Sequence, residues 1–214
     1  MSSIGYFGTY ARFQTDDKEK AIALLNADNI IGSAFTIEHV VTASSKKAWI
    51  VNPFGKRMGF IDEETASKVD LCTAKGWTTV ALLALVAFTE DADGGHYWGE
   101  VAVISYDPAY ESAFSVYREG IARALGDGIR PNIDLGRDAV NAIVKNNGNW
   151  IPSTRTPLPP KEKGTAFVKT QRGANDRLIE QARTHKIGCT VISWIIVLAC
   201  ITLIVVGLHS CGIV

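Results

Sequence analysis

The sequence predicts an α+β protein whose head is a small six-stranded antiparallel β-barrel with flanking helices. A proline-rich spacer and one C-terminal transmembrane helix follow this head. Two observations carry the prediction: six short runs rich in β-branched and aromatic residues within about the first hundred residues, and an uncharged apolar stretch close to the end of the 214-residue chain.

The six predicted strands cover residues 4–13, 34–42, 47–51, 56–61, 77–88 and 97–106. Turn-forming residues lie between two pairs of these runs. The stretch NPFG (52–55) joins the third and fourth, and EDADGG (90–95) joins the fifth and sixth. Strands joined by short turns pair antiparallel, so six of them indicate a small barrel.

Helices are predicted in the gaps between the strands. Asp16 with Glu19 forms a capping pair for a helix to about residue 27, and Asp62 caps a helix that ends before Gly76. A third helix starts at Asp107, which a proline follows, and stops at residue 126. A fourth helix ends at residue 148, and its apolar face consists of Ala139, Val140, Ile143 and Val144.

Charged residues are unevenly distributed although the net charge is zero. Residues 1–150 contain 14 Lys and Arg against 19 Asp and Glu, a balance of −5. Residues 151–214 contain 8 against 3, a balance of +5. No charged leader followed by an apolar run opens the sequence, so we expect no cleaved secretory signal and a cytoplasmic head.

The apolar stretch near the C-terminus is either a core helix or a membrane anchor. Residues 187–208 carry no charge, and as a helix they would span about 33 Å, enough for a hydrocarbon core of about 30 Å. Only Thr190, Ser193 and Thr202 are polar, so the polar face of a core helix is missing. Basic residues precede the stretch. The positive-inside rule therefore predicts a single-pass, tail-anchored protein in the lipid bilayer, with a bacterial inner membrane as the expected location.

The four cysteines form no CxxC pair, so no metal site, disulfide framework or cofactor is predicted. Three of them lie on a face of the apolar stretch where small residues fall within about a 40° wedge at 100° per residue. Such a face lets membrane helices approach closely, so self-association is one interpretation and chance is the other. This candidate helix–helix face consists of Cys189, Ser193, Cys200, Gly207 and Cys211.

The domain boundaries follow from the prolines. Four of the seven lie in IPSTRTPLPP (151–160), which favours an extended, semi-rigid spacer, with a PxxP ligand for an SH3-like domain as the alternative. We expect the head at 1–150, the spacer at 151–164, a basic juxtamembrane segment at 165–186 and the transmembrane helix at 187–208.

Part of the head resembles a known domain family. The segments AWIVNPFGKRMGFIDEETASKV, AKGWTTVALLALVAF and YWGEVAVISYDP are similar to the second half of a HIRAN domain. In that family a strand, a tight turn and a G-x-x-[VIM]-G-[YFH]-[LI] strand lead into a helix, a glycine and a long hairpin. The resemblance covers about residues 34–125, and its motif is carried by Gly55, Met58, Gly59, Phe60 and Ile61.

The resemblance to HIRAN domains implies a compact β-barrel with flanking helices that binds the ends of single-stranded DNA. The family's stretch similar to R-E-P-x-N-P-Y-D-x-N-A, which helps to form the nucleic-acid pocket, is not matched. Only TASSKKA stands between Val41 and Trp49. The resemblance therefore implies the fold and puts the pocket in doubt.

Positive charges and aromatic rings near the NPFG turn form a candidate ligand surface. Cations can supply phosphate contacts and a ring can supply a stacking face for a single strand. A solvated hairpin end, an anionic membrane and an acidic protein partner are the alternatives, and the acidic head makes nucleic acid the disfavoured ligand. The candidate residues are Lys46, Lys47, Lys56, Arg57 and Trp98, and Trp49 and Phe54 are further possible stacking groups.

No catalytic residue is predicted. The four histidines are scattered along the chain, and none lies beside a nucleophile in sequence. ADGGHYWGE (92–100) is explained by hairpin geometry, and ALGDGIRP (124–131) lacks the Lys and the Ser or Thr of a P-loop. The sequence thus predicts a binding or adaptor module with an unknown protein partner. A membrane-tethered binder of single-stranded DNA ends and an enzyme with an unrecognised site are the alternatives.

Overall fold

The computed structural model describes residues 4–15, 18–26, 28–41, 46–90, 94–173, 176 and 202. The chain divides into two compact units, Met1–Arg172 and Gly173–Val214. The candidate helix–helix face and all of the predicted membrane segment except Thr202 lie outside the described residues. Within the ranges that the structure describes, no helix is long and apolar enough to cross a membrane.

The described strands form one antiparallel sheet, six strands of which close into a barrel. They are β1 Tyr6–Gln14, β2 Ala34–Val41, β3 Lys46–Val51, β4 Arg57–Ile61, β5 Thr78–Thr89, β6 His96–Tyr106 and β7 Thr165–Lys169. The order around the barrel is β2-β3-β4-β1-β6-β5, and Ala34 and Phe35 of β2 close it by pairing with β5. The predicted closed, six-stranded antiparallel barrel is confirmed.

Flanking helices complete the α+β architecture. They are α1 Lys18–Ala23, α2 Glu63–Ala74, α3 Glu111–Gly126 and α4 Arg137–Lys145. Asp62 accepts a hydrogen bond from Thr65 N at 2.8 Å, and Asp107 accepts one from Ala109 N at 2.9 Å, so both acidic residues cap the turns that they were predicted to start. Asp16, the predicted cap of the first helix, lies outside the described residues.

The core has an interior part and an outer part. Inside the barrel, the ring of Phe13 lies so close to Gly99 that a Cβ there would be 2.4 Å from the ring, which is why the position requires glycine. On the outer side, α3 packs Phe114 between Tyr6 and Tyr106, with ring centroids 5.7 and 4.7 Å apart. Both parts are buried from solvent and belong to one apolar cluster.

The head extends past the boundary expected at residue 150. Strand β7 pairs with β5 from Val86 to Thr89, beyond the stretch of β5 that pairs with β2. The proline-rich stretch also lies against the barrel, because Asn132 N donates to Thr154 O and Thr156 N donates to Arg130 O, each at 2.9 Å. Residues 151–172 are therefore part of the first compact unit.

The unit Met1–Arg172 has a different net charge from the expected head at residues 1–150. Residues 1–172 contain 19 Lys and Arg against 20 Asp and Glu, a balance of −1, compared with −5 for residues 1–150. The five basic residues between 151 and 172 thus offset most of the acidic excess. Long-range repulsion of a polyanion by this unit is correspondingly small.

Candidate ligand-binding surface

The candidate surface lies on the outer face of β2, β3 and β4. Trp49 on β3 lies opposite Glu38 of β2 on one side and opposite Phe60 of β4 on the other. Residues that are directly opposite in an antiparallel pair project to the same side, so these three side chains share one face. Together with Lys47 and Arg57 they are called the aromatic–cation surface below.

Two rings and two cations make up the centre of the aromatic–cation surface. Trp49 and Phe60 meet edge to face, with ring centroids 5.6 Å apart and planes at 70°. Lys47 Nζ lies 4.0 Å from the Phe60 centroid and 5.9 Å from the Trp49 centroid. Both rings are half-buried. Cation–ring contacts of this kind orient the lysine without burying its charge.

Arg57 on β4 is held by a carboxylate on β2, across the intervening strand β3. Its Nε and Nη2 donate to the two oxygens of Glu38 at 2.9 and 2.8 Å, a bidentate pair between exposed side chains. The hydrogen bonds from Arg57 lower the pKa of the Glu38 carboxyl below its ordinary value. The guanidinium carbon lies 5.9 Å from the Trp49 ring, so the pair also flanks the aromatic centre.

Among the described side chains, the predicted cations do not form one cluster. Lys46 and Lys47 begin β3, whereas Lys56 follows the turn at its other end, and four steps along the strand, about 13 Å, separate Lys47 from Val51. Lys56 is exposed. The side chain of Lys46 lies outside the described residues. Lys47 and Arg57 come together at the Trp49 ring, where Lys47 Nζ and the Arg57 guanidinium carbon each lie 5.9 Å from the centroid.

Trp98, one of the predicted stacking rings, is covered. Only 3% of it is exposed, and it packs with Leu85, Ala87 and the β7 residue Phe167 in a small cluster on the outside of the barrel. The Arg12 guanidinium lies 3.9 Å from its ring centroid, and its Nε1 donates to Thr89 Oγ1 at 2.9 Å. Its ring faces are therefore occupied by the protein itself.

The sequence did not reveal a buried ion pair between Arg130 and Glu100, which lies on β6 as Trp98 does. Arg130 Nη2 donates to Glu100 Oε2 at 2.6 Å, and the guanidinium lies 4.2 Å from the Tyr10 ring. Tyr10 Oη donates to Pro131 O at 2.9 Å, and burial raises the pKa of this tyrosine. Because the chain before residue 131 is thereby tied to β1 and β6, the pair is structural.

Two observations on the described residues concern metal binding and nucleophilic catalysis. Among them, no group of three or more His, Cys, Asp and Glu side chains could hold a metal ion. Cys72 is buried, and burial raises the pKa of its thiol, which disfavours the nucleophilic thiolate. Among the described side chains, the arrangement that stands out is the aromatic–cation surface.

Comparison with protein-family models, with curated proteins and with solved structures finds no match to the chain. The resemblance to HIRAN domains therefore stays a prediction. The barrel agrees with the architecture that the resemblance implied, and residues 42–45, part of the stretch where the family's pocket motif would fall, lie outside the described residues.

Proposed function

We propose that the protein is a membrane-tethered binding module whose aromatic–cation surface binds an extended acidic segment of a protein partner. The observation that carries this proposal is the half-buried Trp49–Phe60 pair with Lys47 and Arg57 at its borders. Half-buried rings offer apolar area at a low cost in conformational entropy, and the cations select a negatively charged ligand.

The ligand should carry few charges. Arg57 already has a carboxylate partner, so an incoming acid must share it with Glu38. Lys47 keeps its ammonium over the rings and can meet an acidic side chain without leaving them. A peptide with one or two carboxylates beside an apolar residue matches Lys47, the shared Arg57 and the exposed edges of the two half-buried rings.

Single-stranded DNA ends are the second candidate ligand. The pairing of rings with cations on a small barrel favours it, because bases stack on aromatic side chains and phosphates attract lysine and arginine. Binding a strand with one charge per nucleotide requires several cations in a row, however. The separation of Lys56 from Lys47 and the covering of Trp98 leave this surface short of both cations and rings.

The tether is residues 187–208, which we infer to cross the bilayer once, with the head in the cytoplasm. Its uncharged length and the basic residues before it support this placement. Self-association through the face from Cys189 to Cys211 is part of the same proposal. Flotation of the full chain with vesicles after a carbonate wash tests the tether, and a protein released by the wash would contradict it.

Binding is tested with the full chain in lipid nanodiscs by fluorescence anisotropy. The probes are a labelled peptide of alternating Glu and Tyr that contains two Glu residues and an oligothymidine of equal charge, each at physiological salt. We expect the peptide to bind more tightly. The double variant Lys47→Gln, Arg57→Gln should weaken it about tenfold, because two cation contacts together contribute about 1.4 kcal/mol.

A matched control is available on α2. Lys68 is paired with Glu64 at 2.6 Å, and Lys75 lies 4.9 Å from the Trp77 centroid, so Lys68→Gln, Lys75→Gln removes one ion-paired and one ring-bound cation elsewhere. It should change the affinity by less than about twofold. Equal losses in both double variants would show a nonspecific charge effect, and tighter binding of oligothymidine that needs a free 3′ end would favour the second candidate.

A further inference from the structure

The turn between β3 and β4 is built rigidly and presents an apolar ring. Asn52 Oδ1 accepts hydrogen bonds from Phe54 N at 3.1 Å and Lys56 N at 2.9 Å, and Gly55 N donates to Asn52 O at 2.9 Å. Gly55 has φ +78°, which few other residues adopt. Asn52 is buried, yet Phe54 at the tip is 59% exposed.

The turn is joined to the loop after α1 by a pair of asparagines. Asn52 Nδ2 donates to Asn29 Oδ1 at 3.2 Å, and Asn29 Nδ2 donates to Ala23 O, the last residue of α1, at 2.6 Å. Both asparagines are buried, so the bonds hold the turn and the end of α1 in one fixed arrangement. Ile22 on this helix is 58% exposed.

The first unit ends on the same loop. Lys169 Nζ lies within hydrogen-bonding distance of three carbonyl oxygens, those of Leu24, Asn26 and Asn29, at 3.1 to 3.3 Å. Arg172 Nε donates to Ile31 O at 2.7 Å. The chain thus leaves the barrel beside the loop 24–31 that supports the Phe54 turn, and residues 173–186 separate this exit from the predicted membrane segment.

These observations point to a lipid surface as the partner of this part of the barrel. We propose that Phe54 and Ile22 rest in the headgroup region of the bilayer, with the exposed Lys56 at anionic headgroups. The proposal rests on the membrane tether proposed above. Fourteen residues reach at most about 50 Å, so the exit at Arg172 stays close to the membrane.

The chemistry of the turn fits the interface between lipid and water. Apolar side chains such as Phe insert at the boundary between headgroups and acyl chains, and the negative potential of an anionic leaflet attracts a nearby lysine. A single ring and one cation bind weakly by themselves, but the tether raises the effective concentration of the surface at the membrane. The contact would fix the orientation of the barrel and leave the outer face of β3 and β4 turned toward the cytoplasm.

A depth measurement on the full chain tests the proposal. An environment-sensitive fluorophore is attached to the variant Pro53→Cys, beside the Phe54 ring. Cys189, Cys200 and Cys211 are replaced by Ala so that they are not labelled. Cys72 is buried and is left in place. Val41→Cys is the matched control, because Val41 is 73% exposed and lies at the far end of β2 from the loop. Vesicles contain phosphatidylcholine alone or with phosphatidylserine, and each carries a nitroxide quencher on its lipid chains.

We expect quenching at position 53 to exceed that at position 41 by at least about threefold, and to be stronger with phosphatidylserine. Adding Phe54→Ser should reduce the difference to less than half, because the turn's hydrogen bonds use backbone N–H groups and survive the change. Equal, weak quenching at both positions in vesicles that retain the protein after a carbonate wash would overturn this proposal and leave the tether intact.

Two other results separate the remaining possibilities. Loss of the protein from the vesicles in the wash would refute the tether, and with it the basis of the docking proposal. Protection of position 53 from an aqueous quencher without lipid quenching would mean that a second protein copy covers the turn, and would also overturn the proposal.

Discussion

Two neighbouring parts of the barrel combine an aromatic ring with a cation, and the protein uses them differently. On β6, Trp98 lies under the Arg12 guanidinium and beside Phe167 of β7. On β3 and β4, the Trp49 and Phe60 rings lie under Lys47 with no described strand across them. The residue types are alike, but the Trp98 ring is buried whereas the Trp49 and Phe60 rings are half-buried.

The difference indicates that contact with β7, more than residue type, decides how deeply a ring beside a cation is buried. β7 pairs with β5 and places Phe167 opposite Ala87, next to the position that Trp98 occupies. Thr165 on β7 also hydrogen-bonds Thr89, which accepts from Trp98 Nε1. Without this strand, the Trp98 region would resemble the Trp49 region.

Removal of β7 should have the largest effect. We expect the fragment Met1–Arg172 to unfold cooperatively in urea and the fragment 1–150 to be less stable by about 4 kcal/mol or more. The loss combines the burial of Phe167, about 1.5 kcal/mol, with several hydrogen bonds of about 1 kcal/mol each, those of Lys169 and Arg172 among them.

A fragment 1–164 separates the two contributions of the removed segment. It keeps the contact between Arg130 and Thr156 and lacks β7. Its stability should lie closer to that of 1–150, with red-shifted tryptophan emission that the variant Trp98→Phe abolishes. Equal denaturation midpoints for all three fragments would show that β7 does not stabilise the barrel.

The barrel itself was predictable because its signals are local. Each strand shows β-branched and aromatic residues over five or more positions, the NPFG turn joins two of them, and Asp62 and Asp107 mark helix starts that the structure confirms. Strand β7 carries only the five residues TAFVK, and its partner Thr89 is 76 residues away from Thr165. No local signal distinguishes such a strand from a linker.

The aromatic–cation surface was predictable only in part, because contacts between residues distant in sequence also determine it. Lys47 and Lys56 were grouped because both are close to the turn in sequence. Successive residues of a strand are about 3.3 Å apart, however, so Lys47 at one end of β3 is far from Lys56, which follows the turn at the other end. The burial of Trp98 depends on β7, and the pair of Glu100 and Arg130 joins residues 30 positions apart. Long-range pairing decides each of these positions.

Substitution of the two tryptophans compares the regions directly. In the fragment Met1–Arg172, Trp98→Ala should lower the free energy of unfolding by about 3 kcal/mol, because it opens a cavity under Arg12 and Phe167 and leaves Thr89 without its donor. Trp49→Ala should cost about 1 kcal/mol, chiefly its edge-to-face contact with Phe60. Urea midpoints measure both, and equal losses would contradict the assignment of Trp49 to an open surface.

Glu38→Gln should have the smallest effect on stability and should strengthen binding. Glu38 and Arg57 are exposed partners, so the shift in urea midpoint should be smaller than that of Trp49→Ala. The pKa of Glu38 is lowered by Arg57, so the pair stabilises the protein above the ordinary carboxyl pKa and this contribution is lost as the pH falls through the lowered pKa. Parent and variant should therefore converge in acid.

At neutral pH the same substitution frees Arg57 for a ligand. Affinity for the peptide of alternating Glu and Tyr should rise about threefold, because the incoming carboxylate no longer competes with Glu38. Glu64→Gln is the control, since it removes an exposed carboxylate paired with Lys68 at 2.6 Å and changes the net charge equally. A gain in both variants would reflect net charge alone, whereas a gain in Glu38→Gln only would place the ligand on Arg57 and separate this open surface from the covered one at Trp98.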